Sequence, residues 1–342
     1  MPAGLAAGLA AAGARPVPLD ARAPGSARIA RALRMPWTAQ TTNPLLAAAG
    51  GARASVAIRR GHFDGAVTIG SGYELRSPVP TVSFDDMTVA QALAQPGSEY
   101  GSIGARAAHR WLARQRRAYE RCRACCLASE WAARSVIDDY GIDPARVHVV
   151  GFGRNAPQQV VERDWRQPRF LFIGIDWERK RGQAVVDAFA KVRARHPTAS
   201  LDLVGGHPAI EAAGVTGHGV LSLASPEGQA RQATLLARST CLVLPSSFEP
   251  FGIAYVDAAA SGVPSIGTTR GGAATAIGDG GLLVDPEAED ELVDAMLAMC
   301  DPETARRFGD RSFAHSAGFT WKAVGERVLV ALSGRPPPLE RE

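Results

Sequence analysis

The chain has 342 residues, of which 46% are hydrophobic and 21% are charged. This composition excludes an intrinsically disordered protein, and the length predicts two domains rather than one core. The formal net charge of +4, from 38 basic and 34 acidic residues, is too small to indicate nucleic-acid binding.

The cysteine pattern and the opening segment of the chain indicate the cellular compartment in which the protein is expected. Five cysteines form neither an even set nor a paired metal-ligand spacing, so we expect no disulfide framework and a cytoplasmic protein. Cys122 and Cys125 form a C-x-x-C, which we interpret as a helix passing into a buried strand. The opening GLAAGLAAAG has no basic segment and is too short to span a bilayer, so no signal peptide is expected.

Short apolar runs alternate with helical segments in the first half of the chain. This alternation predicts buried parallel strands in strand-helix-strand units. The runs are PVPLD (16–20), AVTIG (66–70), VPTVSFD (79–85), CCLAS (125–129) and VHVV (147–150). The first helical segment has no strand or glycine-rich turn ahead of it, so the N-terminal domain is predicted to lack its first strand.

A second series of strands follows a polar stretch from Asn155 to Pro168. Its members are RFLFIG (169–174), SLDLVGG (200–206), CLVLP (241–245) and VPSIG (263–267). Val185, Phe189 and Val192 between the first two recur at helical spacing and predict one apolar helix face. The prediction is therefore an α/β protein with an N-terminal domain (1–160), a C-terminal domain (161–320), and a C-terminal helix and tail (321–342).

The segment LPSSFEPFGIAYVDAAASGVPSIGTTRGG (244–272) contains a strand, a small-residue turn, a helix, a second strand and a glycine loop. Strand carboxyl ends in open α/β sheets face a ligand crevice. A helix beginning near Phe251 or Gly252 would direct backbone N–H groups toward an anion such as a diphosphate. Glu249 and Asp257 would accept hydrogen bonds from sugar hydroxyls. The alternative is that Glu249 caps the helix and Asp257 is a solvated helix residue.

A second segment, FIGIDWERKRG (172–182), places three consecutive cations after a strand. Lys180, with Arg179 or Arg181, could neutralise charge that develops on a leaving phosphate. The alternative is an ordinary solvated turn.

Together these motifs resemble the family four retaining glycosyltransferases, whose signature is a Glu, seven residues and a second Glu in this strand-turn-helix setting. The resemblance implies the GT-B fold, with two doubly wound Rossmann-like domains facing a cleft. It implies that Glu249 contacts the transferred sugar and that backbone groups of Phe251, Gly252 and Ile253 bind the diphosphate. Asp257 stands where the family has the Glu that binds the nucleotide ribose.

The resemblance also extends to the flanking loops. Lys180 matches the family lysine near the leaving phosphate, whereas Ile175 stands where the family has an arginine, so Arg179 or Arg181 is expected to supply the second cation. Thr275 stands at a family Glu position. The remaining expected donor-binding residues are Gly174, Gly271 and Gly272, and the base is expected near residues 214–223.

In the N-terminal domain, the run PTVSFDDMT (80–88) lies where many relatives carry a histidine that faces the acceptor. Asp85 aligns with that position and could bind a hydroxyl or act as a general base. The alternative is that Asp85 and Asp86 cap a helix that begins near Met87. The arginine-rich run from Arg106 to Arg123 indicates either peripheral contact with an acidic membrane, at its inner face, or a solvated helix face.

The expected function is transfer of a sugar from a nucleotide-diphosphate donor to a glycan, lipid or small-molecule acceptor with retention of configuration. No metal or other cofactor is expected, because no Asp-x-Asp follows a strand and the cations with the helix terminus could act on the diphosphate instead. Neither a protein nor a nucleic-acid partner is predicted. A nucleotide-sugar epimerase and a degenerate nucleotide-sugar-binding protein without turnover remain alternatives. An NAD-dependent dehydrogenase is disfavoured because no G-x-G-x-x-G opens a helix after a strand.

Overall fold

The computed structural model describes residues 2–21, 43–70, 72–95, 100, 103–157 and 161–334. The chain divides into two compact units, one of Met1–Gly151 with Trp321–Glu342 and one of Phe152–Thr320. The division thus falls nine residues before the predicted boundary at 160. The C-terminal helix, which was predicted as a segment separate from both domains, groups with the first unit. The predicted tail after residue 334 lies outside the described residues.

The first unit is built on a four-stranded parallel sheet in the order β1-β2-β3-β4. Its elements are α1 (Pro2–Ala11), α2 (Pro44–Arg60), β1 (Ala66–Ile69), β2 (Thr81–Asp85), α3 (Val89–Ala94), α4 (Ala105–Arg121), β3 (Ala124–Leu127), α5 (Glu130–Asp138) and β4 (Val147–Val149). The sheet is buried along β2 and β3, as the apolar runs predict.

The prediction of a strand at residues 16–20 is wrong. This segment is irregular and mostly exposed. Pro16 and Pro18 lack the backbone N–H that a sheet ladder requires, so an apolar run that contains both is a poor strand.

The helix of the arginine-rich run, α4, uses its apolar side chains in the core. Trp111 and Tyr119 are buried, and Arg114 is buried with them. Arg117 and Arg121 both bind Glu74, at 2.7 and 3.1 Å. The two aromatic residues therefore stabilise the unit, and only part of the basic face is open to solvent.

The cysteines of the same region are structural. Cys122 ends α4 and Cys125 lies in β3, and both are buried free thiols. Burial raises the pKa of Cys125 to about 12, so it stays protonated at neutral pH. This agrees with the interpretation of the C-x-x-C as a helix that passes into a buried strand.

The C-terminal helix α12 (Trp321–Ser333) packs against α1 through glycines on both helices. A Cβ on Gly325 would lie 2.5 Å from the backbone of Gly8, and a Cβ on Gly4 would clash with the ring of Trp321. The helices therefore approach so closely that only glycine fits at these positions.

We expect Gly325→Val to lower the unfolding free energy by about 3 kcal/mol, because the new side chain forces the two helix backbones apart. Gly72→Ala is the matched control, since a Cβ there meets no atom within 4 Å. Thermal denaturation of both variants checks the expectation. Equal melting temperatures would contradict the close approach of α1 and α12.

The second unit contains a six-stranded parallel sheet in the order β10-β9-β8-β5-β6-β7. Its elements are β5 (Arg169–Gly174), α6 (Gly182–Arg195), β6 (Ser200–Gly205), β7 (Val215–Gly217), α7 (Pro226–Arg238), β8 (Cys241–Val243), α8 (Ile253–Ala259), β9 (Ser265–Thr268), α9 (Ala273–Ile277), β10 (Gly281–Val284), α10 (Glu289–Ala298) and α11 (Pro302–Ser316). The apolar face predicted for α6 is buried. Strands β7 and β10 were not predicted.

The strand order positions the chemistry of the second unit. Strand β5 lies at the centre, next to β8, and the order reverses there between the β6 and β8 sides. Ligands of open α/β sheets bind at such a reversal, beyond the carboxyl ends of the strands. The turns after β5, β8 and β9 are therefore the expected position of a ligand site.

Among the described residues, no helix is both long and apolar enough to cross a membrane.

Candidate functional site

The turn after β5 presents the predicted cations from a constrained backbone. Gly174 ends the strand, and a Cβ there would lie 2.8 Å from Cγ of Lys180, so glycine makes room for the lysine stem. Arg181, the residue before α6, has a φ of 55°, a left-handed conformation uncommon for a residue with a side chain. Ile175, at the position where the resemblance implies an arginine, is 75% exposed.

Glu249 is fixed through its backbone by the glycine loop after β9. Its N–H donates to the carbonyl of Arg270 at 3.0 Å, and its carbonyl accepts from the N–H of Gly272 at 2.7 Å. Gly271 has a φ of 103°, and a Cβ on it would clash with the backbone of Glu249. Gly271 and Gly272 thus position Glu249, whether or not they also bind a ligand.

The side chains of the two turns meet in one charge cluster. Nζ of Lys180 donates a hydrogen bond to Oε2 of Glu249, and the side chains are only 12% and 8% exposed. Nη1 of Arg179 lies 3.8 Å from the same oxygen, and Oγ of Ser246 donates to it at 3.4 Å. One partly buried carboxylate therefore has two cations and a hydroxyl around it.

Further contacts hold Arg179 at the edge of this cluster. Its guanidinium donates to the carbonyl of Phe248 at 3.2 Å and lies 5.5 Å from the centre of the Phe248 ring. Its own carbonyl accepts from the N–H of Ser247 at 2.8 Å. A carboxylate of Asp176 accepts from its Nε at 3.3 Å. The turns after β5 and β8 are therefore directly joined by hydrogen bonds.

The segment that leads into α8 is tightly packed. Gly252 has a φ of 87°, and a Cβ there would clash with the ring of Tyr255 and lie 3.1 Å from Cγ of Glu249. The ring of Phe251 is buried between Phe152 and Phe319, at centroid distances of 5.3 and 5.7 Å. Phe251 can therefore offer only its backbone to a ligand. Helix α8 begins at Ile253 and has seven residues.

Asp257 has protein partners in the structure. It is 3% exposed, and its Oδ1 accepts backbone hydrogen bonds from Asn155 at 2.6 Å and Ala156 at 2.9 Å. Burial raises the pKa of Asp257 to about 6, although the two N–H donors and Arg154 act in the opposite direction. The alternative that Asp257 is a solvated helix residue is wrong. A contact of Asp257 with a nucleotide ribose stays a prediction.

Thr275 and the base region complete the predicted set. Thr275 lies in α9, where its carbonyl contacts Nε2 of His315 at 3.1 Å. In the region expected to line the base, Nε2 of His218 lies 2.6 Å from Oδ1 of Asp202. Arg238 binds both oxygens of Asp202, so this carboxylate is engaged within the unit.

Asp85 belongs to the first unit, at the carboxyl end of β2. It is buried, and its carbonyl accepts from the N–H of Ala128 at 2.9 Å. The alternative that Asp85 and Asp86 cap the next helix is wrong, because Thr88 caps α3 and forms a capping box with Gln91.

Residues 167–301 match the family model described as glycosyl transferases group 1. This part of the chain belongs to that family. The match spans β5 to the end of α10 and includes both turns of the charge cluster. The family resemblance inferred from the sequence is thus confirmed for residues 167–301, which we call the group 1 domain.

The chain is similar to curated proteins that are named as a glycosyltransferase and as a synthase. The chain is 30% identical over 226 residues to a protein of Nocardia farcinica named D-inositol 3-phosphate glycosyltransferase, an alignment that covers 59% of this chain and 50% of the relative. It is 28% identical over 228 residues to a protein of Agrobacterium fabrum named mannosylfructose-phosphate synthase, covering 58% and 50%. The chain spans about half the length of the curated relatives it matches.

Solved structures confirm the predicted GT-B fold. WaaG, a glycosyltransferase involved in lipopolysaccharide biosynthesis, superposes with a TM-score of 0.62 at 15% identity, covering 84% of this chain and 82% of that chain. Sucrose-phosphate synthase from Thermosynechococcus elongatus superposes with a TM-score of 0.62 at 18% identity, covering 82% and 75%. Both comparisons extend beyond the group 1 domain into the first unit.

Two residues of the group 1 domain were missed by the sequence analysis. Ser246 contacts Glu249, and Tyr255 fills the space that a side chain at position 252 would take and donates to the carbonyl of Leu244 at 2.7 Å. Both lie within the quoted segment 244–272, at helix or turn spacing from Glu249. Among the described residues, no cluster of three or more His, Cys, Asp or Glu side chains could hold a metal ion.

Proposed function

We propose that this protein transfers a sugar from a nucleotide-diphosphate sugar to a hydroxyl of a glycan, lipid or small-molecule acceptor, with retention of configuration. The observation that carries the proposal is the cluster of Glu249 with Lys180 and Arg179, at the carboxyl edge of β5, β8 and β9 in a group 1 domain. A carboxylate that accepts from sugar hydroxyls and cations that face phosphates are what such a donor requires.

In the proposed reaction, the bond between the anomeric carbon and the diphosphate oxygen breaks, and the electron pair stays on the leaving nucleoside diphosphate. A bond forms from the acceptor oxygen to the same face of the anomeric carbon. The acceptor proton passes to the departing phosphate. Lys180 and Arg179 would stabilise the negative charge that develops on this phosphate, which is a large term in group-transfer catalysis.

Before donor binding, Glu249 and Lys180 neutralise each other. An incoming diphosphate would draw Lys180 and Arg179 toward its oxygens, and the sugar hydroxyls would then donate to the carboxylate of Glu249. Both side chains are already largely removed from water in the absence of donor. The site is preformed in the sense that Lys180 lies close to the place proposed for the diphosphate, and Glu249 close to the place proposed for the sugar. In this proposal, side chains supply the positive charge that faces the diphosphate.

Two further assignments follow from the proposal. The acceptor would bind the first unit, where Asp85 would accept a hydrogen bond from one of its hydroxyls. The names of the two quoted relatives contain phosphorylated small molecules, so phosphorylated polyols and sugars are the first acceptors to screen. The buried free thiols suit a reducing cytoplasm.

The test is a thermal-shift screen of nucleotide-diphosphate sugars, followed by detection of the released nucleoside diphosphate. A donor at 100 times its dissociation constant should stabilise the protein by about 2.7 kcal/mol. Glu249→Gln should remove this stabilisation. Glu178→Gln, in the exposed part of the neighbouring turn, is the matched control and should leave it unchanged.

Product analysis separates the transferase from its alternatives. Release of nucleoside diphosphate together with a glycosylated acceptor supports the proposal. A nucleotide sugar of altered configuration would indicate an epimerase, and binding without turnover across the acceptor panel would indicate a binding protein. Either outcome would overturn the proposed transfer.

A further inference from the structure

The first unit contains a cavity of about 610 Å³ that none of the assignments above uses. It is bounded by the loop between β1 and β2, by the start of β2, and by the junction of α4 with β3. Its lining includes Tyr73, Arg76, Thr81, Arg121 and Arg123. A volume of this size is typical of pockets that bind small molecules.

The charge at this cavity is positive and only partly compensated. Arg121 binds Glu74 at 3.1 Å, and Glu74 also binds Arg117. The side chains of Arg76 and Arg123 are exposed, and neither has an ion-pair or hydrogen-bond partner among the residues that the structure describes. Two guanidinium groups at the wall of one cavity therefore remain available for an anion.

The rest of the lining is suited to a hydroxylated body rather than to a bare ion. The hydroxyl of Thr81 donates to the carbonyl of Val79 at 3.3 Å, and that of Thr68 donates to the carbonyl of Val82 at 3.3 Å. Their lone pairs can still accept hydrogen bonds from a ligand. Ala118 adds an apolar surface.

We propose that this cavity binds a phosphate monoester with a hydroxylated carbon body, held by Arg76 and Arg123. Arginine presents a planar fork of donors that matches phosphate oxygens in pairs. The ligand class could reach the site as a free small molecule or as the headgroup of a phospholipid, and the phosphate chemistry is common to both sources.

The cavity is separate from the proposed acceptor residue. Thr81 begins β2 and Asp85 ends it, so the two positions are about 13 Å apart along the strand at the usual rise per residue. Arg123 donates its backbone N–H to the carbonyl of Thr81, which places it beside the start of the strand as well. The cavity thus lies at the amino edge of the sheet, whereas Asp85 lies at the carboxyl edge.

The test compares Arg76→Gln/Arg123→Gln with the control Arg53→Gln/Arg60→Gln, which removes two exposed arginines from α2 outside the cavity lining. Isothermal titration of the full chain with glycerol 1-phosphate should show binding that is about tenfold weaker in the cavity variant than in the control. Any phosphate bound by Lys180 and Arg179 contributes equally to both variants, so failure here leaves the proposed transfer untouched.

A second arm distinguishes the two sources. Co-sedimentation with phosphatidylcholine vesicles, with and without phosphatidic acid, measures headgroup binding. Loss of phosphatidic-acid-dependent binding in the cavity variant alone, without a change in titration, would assign the site to a lipid headgroup. Loss in the titration assigns it to a free ester. Equal binding of the cavity variant and the control in both arms would overturn the proposal.

Discussion

Replacing Lys180 by methionine is expected to lower the turnover of the proposed transfer by about 10²–10³-fold, because the leaving phosphate loses one of the two side-chain charges proposed to stabilise it. Methionine keeps the length and apolar stem of the side chain, so the loss reports on charge rather than on packing. The measurement is nucleoside diphosphate release at saturating donor. Lys191→Met, on the exposed face of α6, is the matched control and should keep full activity.

The same substitution should also lower stability, which provides an independent check of the pair. Without Lys180, the carboxylate of Glu249 stays largely buried with only Arg179 at 3.8 Å and Ser246 at 3.4 Å. We expect a loss of about 2 kcal/mol in unfolding free energy, below the range for a fully unpaired buried charge because these two groups remain.

A double variant then separates stability from catalysis. Lys180→Met/Glu249→Gln removes both charges and should recover most of the lost stability, but not the activity. Denaturant unfolding and turnover are measured on the wild type, Lys180→Met, Glu249→Gln and the double variant, which together form a double-mutant cycle. Recovered activity in the double variant would contradict the catalytic assignment of both residues, and unchanged stability in the single variant would contradict their pairing.

Asp257→Asn is expected to stabilise the protein at pH 8 by about 2 kcal/mol, because an amide carries no buried charge yet can still accept from the backbone of Asn155 and Ala156. The pKa of Asp257 is raised from 3.8 to about 6 in the folded chain. Between these values the folded state keeps a proton that the unfolded state has released. Stability therefore falls as the pH rises from about 4 to about 6.

The measurement is the unfolding free energy of both proteins across this pH window. Wild type and Asp257→Asn should converge near pH 4 and diverge as the pH rises to 6. Asp294→Asn, on the exposed face of α10, should follow the wild-type curve. Parallel curves for wild type and Asp257→Asn would show that the carboxylate is not titrating in its buried position. Donor affinity, measured on the same variant, tests the predicted ribose contact separately.

The turn with Arg179, Lys180 and Arg181 could be predicted to lie close to Glu249. The apolar runs locate strands β5 and β8 in the sequence, and parallel strands of one sheet have their carboxyl ends at the same edge. The partners of Asp257 could not, since its backbone donors lie about a hundred residues away along the chain. Thr88, rather than Asp85 or Asp86, caps α3 because the cap depends on where the helix begins, and pattern fixes that point only within a few residues.

The glycine loop shows a related limit. Gly271 and Gly272 could be recognised as positions for close backbone approach, but the sequence does not say what approaches. In the structure it is the backbone of Glu249, at the other end of the same segment. A pattern of this kind identifies a constraint, and only the fold identifies its partner.

The chain crosses between its two units twice, and this governs how the protein can be dissected. Phe152–Thr320 is one uninterrupted stretch that holds the whole Lys180–Glu249 cluster, so a single start and stop suffice to express it for ligand titrations. The other unit is discontinuous. Because α12 packs on α1, a shortened chain that ends at residue 151 would leave α1 without this contact. Residues 321–334 therefore need to be joined to it by a short linker.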